Sequence, residues 1–108
     1  MKVYLDDVRD APDGWVRTRT PSETIELLQT GRVQELSLDH DLGLDSAESE
    51  RTGYSVLTWL EAEIAHERWP FPLPTIRFHS ANPVGSERME RAIEAIYRLH
   101  AQQVEQTE

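Results

Sequence analysis

The sequence contains no cysteine, which removes disulfides, thiolate zinc sites and a thiol nucleophile, and fits a reducing compartment. Lysine is almost as scarce: Lys2 is the only one, and every other basic residue is an arginine. Basic residues are outnumbered, 11 against 20 acidic, for a formal net charge of −9. Such a field repels nucleic-acid phosphates and argues against sequence-specific DNA binding. Long apolar runs are missing too, and none approaches the roughly 20 residues of a bilayer span. Met1-Lys2 leads straight into the strand-like Val3-Tyr4-Leu5, so the expectation is a cytoplasmic protein, neither secreted nor membrane-inserted. There are no internal repeats or low-complexity segments, and 108 residues suffice for one small domain around one core.

What is present alternates between two periodicities. Lys2-Val-Tyr-Leu-Asp6 reads as a buried strand running into the turn-rich Arg9 to Gly14 segment. Trp15 to Thr20 alternates apolar or β-branched with basic residues, as a half-exposed edge strand does. Thr20-Pro21-Ser22-Glu23 then predicts a helix start, with Thr20 as N-cap, Pro21 at the first helical position and Glu23 closing a capping box. Ile25, Leu27 and Leu28 form its apolar face, and Gly31 stands where a left-handed residue ends a helix. Leu36-Ser37-Leu38 predicts a third strand, followed by Asp39-His40-Asp41-Leu42-Gly43 and a polar loop from Leu44 to Arg51. Its acidic run, Asp45 to Glu50, reads as a solvated loop or a lid. From Gly53 to about Arg68, Val56, Leu57, Leu60 and Ile64 repeat at helical spacing before Pro70, Pro72 and Pro74. Thr75 to Phe78 predicts a fourth strand, and Met89, Ala92, Ile93, Ile96 and Leu99 mark a last amphipathic helix. The domain is expected to span residues 1–101, with a polar, frayed tail over 102–108. Strands alternating with helices predict an α/β fold around a mostly parallel sheet flanked by helices, with functional groups beyond the carboxyl ends of the strands.

Three strand ends carry polar clusters: Asp6-Asp7 with Arg9, Asp39-His40-Asp41, and His79-Ser80 with Asn82. Parallel geometry brings these ends together. Asp is common in turns, but two carboxylates abutting a buried strand are costly without partners. Four converging carboxylates repel one another unless a hard divalent cation neutralises them, which points to Mg²⁺ or Mn²⁺, with Zn²⁺ as an option because of the two histidines. Asp6, Asp7, Asp39 and Asp41 are the candidate metal ligands. His40 and His79 are candidates for general acid or base, or for metal ligation. Arg9, Ser80 and Asn82 are candidates for holding phosphate oxygens. Phosphate chemistry follows from that combination, through a polarised phosphoryl oxygen or a cation-activated water. Blander readings stand beside these: Arg9 as an ion-pair partner, His79 as a satisfied histidine, Ser80 as a helix cap and Asn82-Pro83 as a turn. His66 and His100 lie on predicted helices and are assigned no role. Trp15, Trp59 and Trp69 read as core or rim packing, since no basic patch accompanies them in the sequence.

Across almost the whole chain the pattern resembles the CheY-like receiver domains of two-component signalling. Leu5-Asp6-Asp7 is similar to their acidic pair, Asp39 to their phosphoacceptor, Gly53 to the start of their third helix, and Ser80-Ala81 to their Ser/Thr-Ala. The receiver lysine has no counterpart, a loop stands where the first helix would be, and a fifth strand is not evident. The chain more specifically resembles a divergent branch, the cyclic-phosphate processing receiver-like domain. That resemblance rests on Leu5-Asp6-Asp7-Val8-Arg9-Asp10-Ala11-Pro12, Ser37 through Gly43, and His79 through Pro83. It implies a receiver-like (flavodoxin-like) domain that performs metal-assisted processing of cyclic phosphates on nucleotides or RNA ends. The catalytic residues would be Asp39, His40, His79 and Arg9, with substrate held by Arg9, Ser80 and Asn82. The partner would be a phosphate-containing small molecule or an RNA end. The alternative is a non-enzymatic receiver-like signalling module that binds a phosphorylated ligand, a nucleotide or a protein partner through the same crevice.

Overall fold

The computed structural model of the chain describes residues 1–6, 9–39, 53–79 and 86–106. Four strands, β1 (Lys2–Leu5), β2 (Val16–Thr18), β3 (Glu35–Asp39) and β4 (Thr75–His79), alternate with three helices, α1 (Pro21–Leu28), α2 (Gly53–Ala65) and α3 (Ser86–Gln106). The strands form one sheet in the order β2-β1-β3-β4, with every neighbouring pair parallel. The second strand is an edge strand, as its alternation predicts, although only Val16–Thr18 pair within the Trp15 to Thr20 stretch.

The helix boundaries have local causes. At the start of α1, Thr20 Oγ1 accepts from the Glu23 N–H at 3.2 Å, while Glu23 Oε1 accepts from the Arg19 N–H at 3.3 Å. The cap therefore closes one residue earlier than the usual reciprocal box. Thr24 and Leu28 are the buried positions of α1, with Ile25 and Leu27 only half-buried. Sequence periodicity omits Thr24 because its hydroxyl is polar, yet that hydroxyl is paired inside: it lies 2.6 Å from Thr18 Oγ1 and donates to the Thr20 carbonyl. Gly31 is left-handed, with φ +74, and a Cβ there would meet Phe71 ring carbons at 2.5 Å. Helix α2 stops at Ala65, short of Arg68. Glu67 turns left-handed with φ 60 and the Arg68 N–H bonds back to the Glu63 carbonyl at 2.8 Å, closing the helix before the prolines are reached. Helix α3 runs on past Ala101 to Gln106. Its Gln103 side-chain amide donates to the Ile64 carbonyl near the end of α2, which anchors a segment whose composition alone suggests fraying.

The core lies on one face of the sheet. Val3, Leu5, Leu36, Leu38 and Ile76 point to it and pack with Leu28 of α1, Val56, Leu57, Leu60 and Ile64 of α2, and Met89, Ile93 and Ile96 of α3. Topology explains why α1 and α2 share that face, and α3 joins them there by packing Met89, Ile93 and Ile96 into the same core. The β2–α1–β3 and β3–α2–β4 crossovers step in the same direction across the sheet, and right-handed crossovers then place their helices on the same side. The opposite step, β1 to β2, is made without a helix among its described residues. On the other face, therefore, the described residues present Lys2, Tyr4, Arg17, Glu35, Ser37, Arg77 and His79, alternate to the core positions. At the β4 edge, where no further strand pairs among the described residues, the Tyr97 hydroxyl from α3 accepts from the Ile76 N–H at 2.8 Å and donates to the Pro74 carbonyl at 3.0 Å. No helix of the described residues is long and apolar enough to cross a membrane.

Candidate metal centre at the strand ends

Parallel register carries three side chains into one row. Asp39 pairs with His79, and Leu5 pairs with Leu38, which sets Asp6 beside Asp39 on the next step of the ladder. The Asp6 N–H continues the ladder on the other side by donating to the Thr18 carbonyl at 3.0 Å. Donor atoms of Asp6, Asp39 and His79 all lie within 4.8 Å of one another. Asp6 is 2% exposed and Asp39 8%, so both carboxylates are withdrawn from water, where unpaired charge is costly.

His79 is fixed from three sides. Its Nε2 lies 3.0 Å from Asp6 Oδ2, its Nδ1 lies 2.7 Å from Ser37 Oγ, and its ring stacks on Tyr4 at 4.1 Å between centroids with an interplanar angle of 6°. Tyr4 and His79 belong to strands separated by β3; Ser37 pairs with Tyr4, while His79 pairs with Asp39 two residues further on, so the imidazole meets Ser37 and Tyr4 diagonally across β3. A small side chain at 37 lets the two rings meet above it. Nε2 thus faces a carboxylate, and Nδ1 faces a hydroxyl that can donate or accept as the tautomer requires. A hydroxyl supports both tautomers, as an outer partner of a metal-bound imidazole must.

After β1, one main-chain donor and the Arg17 side chain hold Asp6 and Asp10. The Arg9 N–H donates to Asp6 Oδ1 at 2.8 Å, while Arg17 Nε donates to the Asp6 carbonyl at 3.1 Å and its Nη1 reaches Asp10 Oδ1 at 3.1 Å. What the structure shows of Arg9 is thus a backbone contact that orients Asp6; the residue itself is exposed. On the far side, Gly53 brings the first turn of α2 against the end of β3. A Cβ at 53 would lie 2.5 Å from the Asp39 carbonyl oxygen and 2.9 Å from Leu38 Cβ.

Of the residues singled out in the sequence, Asp6, Asp39 and His79 come together, and Arg9 touches the cluster through its N–H. Asp7, His40, Asp41, Ser80 and Asn82 lie outside the described residues. Sequence reasoning missed Ser37, Tyr4 and Arg17. Strand alternation held a signal for the first two, since Tyr4 shares a face with Asp6 and Ser37 with Asp39, and both are polar positions in otherwise apolar strands.

The model of a family described as cyclic-phosphate processing receiver domain matches residues 1–95. The chain belongs to that family. No curated relative and no solved structure matches it. This cyclic-phosphate processing receiver domain has a four-stranded parallel sheet, and at its strand ends a histidine, His79, shares the cluster with two carboxylates. The donor set fits a cation. Donor atoms that share one divalent ion can be no further apart than about twice a bond length, roughly 4 to 5 Å, and the three groups meet that condition by lying within 4.8 Å of one another.

Proposed function

We propose that the Asp6, Asp39 and His79 cluster binds a divalent cation and, with it, hydrolyses a cyclic phosphodiester. The observation that carries this reading is the convergence of two buried carboxylates and one imidazole within 4.8 Å in a member of a cyclic-phosphate processing family. Carboxylates suit Mg²⁺ and Mn²⁺ and imidazole suits later transition ions, so a mixed set favours Mn²⁺ first, with Mg²⁺ and Zn²⁺ as the comparison ions. When bound, the ion supplies a Lewis acid for a phosphoryl oxygen and lowers the pKa of a bound water.

The chain's own residues hold and orient. Asp6 is aimed by the Arg9 N–H, and His79 by Ser37 and Tyr4, so the donors are positioned before any ligand arrives. In this reading Asp7 and Asp41 complete the ligand set, His40 moves protons, and Arg9, Ser80 and Asn82 hold phosphate oxygens. In the overall reaction the oxygen of water forms a new bond to phosphorus, one ring P–O ester bond breaks, and a proton passes to the departing oxygen. The product is a phosphomonoester.

The test is phosphorus NMR on 2′,3′-cyclic and 3′,5′-cyclic nucleotides and on an RNA ending in a cyclic phosphate, with wild type and Asp39→Asn, in Mn²⁺, Mg²⁺ or Zn²⁺. Metal-dependent conversion to a monoester that Asp39→Asn abolishes is the expected result. Metal binding without turnover of any substrate would refute the enzyme and leave a ligand-binding receiver relative.

A further inference from the structure

The sheet face opposite the helices is polar and aromatic, and it begins at the metal cluster. From His79 the rings continue to Tyr4, stacked at 4.1 Å, and from Tyr4 to Trp15, whose ring stands edge-on at 6.2 Å and 79°. Trp15 is thus unlike Trp59 and Trp69, which pack against each other and the core. It is only half-buried, and Lys2 Nζ sits 5.8 Å from its ring centroid. Lys2, Arg17 and Arg77 come from three different strands and share this face, although the chain as a whole carries −9. The side chain of Arg77 is 66% exposed and that of Lys2 50%, each ion-paired only loosely, at 3.9 and 3.4 Å, to Glu35.

We propose that this face is the nucleoside subsite of the cluster: a mononucleotide places its cyclic phosphate at Asp6, Asp39 and His79 and stacks its base on Trp15. The proposal rests on the cyclic-phosphate reading and adds what lies beyond the phosphate. A base offers a π-face to an aromatic ring whatever its identity. Besides the T-shaped contact with Tyr4, the Trp15 ring carries a flexible lysine 5.8 Å from its centroid, which a base can displace. Charge complementarity decides between a mononucleotide and a strand. Arg17 is held by Asp10 and the Asp6 carbonyl, and Lys2 and Arg77 share Glu35, so the face offers two loosely held cations and no basic track; that suits a single anionic ligand, whereas a polyanion meets the net −9 of the chain along its whole length. One platform ring likewise accommodates one base.

The experiment compares adenosine 2′,3′-cyclic phosphate with glycerol 1,2-cyclic phosphate, which carries the same reacting group and no base. The readout is the ratio of their affinities with Mn²⁺ present, or of their KM values where they are turned over, in wild type, Trp15→Ala and Trp15→Phe. The expected ratio is roughly tenfold or more in favour of the nucleotide, in line with one stacked base, collapsing toward one in Trp15→Ala and largely retained in Trp15→Phe. A wild-type ratio near one, or a ratio that survives Trp15→Ala, overturns the platform and leaves the cyclic-phosphate reading standing. If neither ligand binds, the cyclic-phosphate reading falls and the platform with it. An oligoribonucleotide ending in a cyclic phosphate that binds tenfold tighter than the mononucleotide overturns the assignment to a single nucleoside.

Discussion

Replacing Gly53 by alanine separates two opposing effects at the junction of α2 and the metal cluster. Alanine is the better helix former by up to about 1 kcal/mol in a helix interior, and less in the first turn, where residue 53 stands. Against that, the new methyl group would lie 2.5 Å from the Asp39 carbonyl oxygen, 2.9 Å from Leu38 Cβ and 3.2 Å from the Asp39 carbonyl carbon. All three atoms belong to the interior strand β3, so no flexible side chain can swing aside, and α2 must move instead. Overpacking of this kind costs about 1–3 kcal/mol, which outweighs the propensity gain and leaves a net destabilisation of about 1–2 kcal/mol. For a domain of this size that lowers the melting temperature by roughly 5–15 °C. Thermal and urea unfolding of Gly53→Ala against wild type measure it. Because the first turn of α2 packs directly on the Asp39 backbone, moving it away loosens the support of that residue, and any stabilisation by Mn²⁺ should shrink in the same variant. A Gly53→Ala protein as stable as wild type would refute the close approach and with it the claim that this glycine positions the site.

Four further outcomes follow from named contacts. Mn²⁺ at about one hundred times its dissociation constant should stabilise the fold by about 2.7 kcal/mol, and Asp6→Asn should abolish the shift in a thermal melt; an equal shift in the variant would exclude Asp6 as a ligand. Ser37→Ala removes the Nδ1 partner of His79 and should weaken metal binding by roughly 10- to 100-fold, as read by calorimetric titration, whereas an unchanged affinity would leave Ser37 as mere packing. Thr24→Val strands the buried Thr18 hydroxyl and should cost about 1–3 kcal/mol in urea unfolding; a neutral result would show that Thr18 finds another acceptor. Tyr97→Phe takes away the acceptor of the Ile76 N–H and should cost about 1 kcal/mol, with amide exchange at Ile76 accelerating more than at Leu36 in the sheet interior.

Much of the architecture is legible in the sequence because its signals are local. Thr20, Pro21 and Glu23 start α1, Gly31 ends its turn, and the short apolar runs that end in Asp6 and Asp39 mark β1 and β3. Boundaries shift where a distant contact takes over: the Ile64 carbonyl holds Gln103 and so lengthens α3 beyond what composition suggests. The site is legible as far as strand ends go, since parallel strands must bring Asp6, Asp39 and His79 to one edge. Ser37 and Tyr4 escape notice because their roles depend on register between strands, with Ser37 meeting a histidine 42 positions away. The charge on the Trp15 face escapes for the same reason. Lys2, Arg17 and Arg77 are scattered along a strongly acidic chain, and only folding gathers them.

The Tyr97 hydroxyl has a consequence for association. A strand edge is normally closed by another strand, which occupies every outward N–H and C=O along it. Here a phenol carried by a helix satisfies one of each, so protection of the β4 edge depends on α3 staying docked. If α3 peels away, the same event uncovers Met89, Ile93 and Ile96 and opens the edge of β4 to another chain. Polymerisation through β4 is therefore the failure mode to expect on partial melting, ahead of separation of the strands themselves.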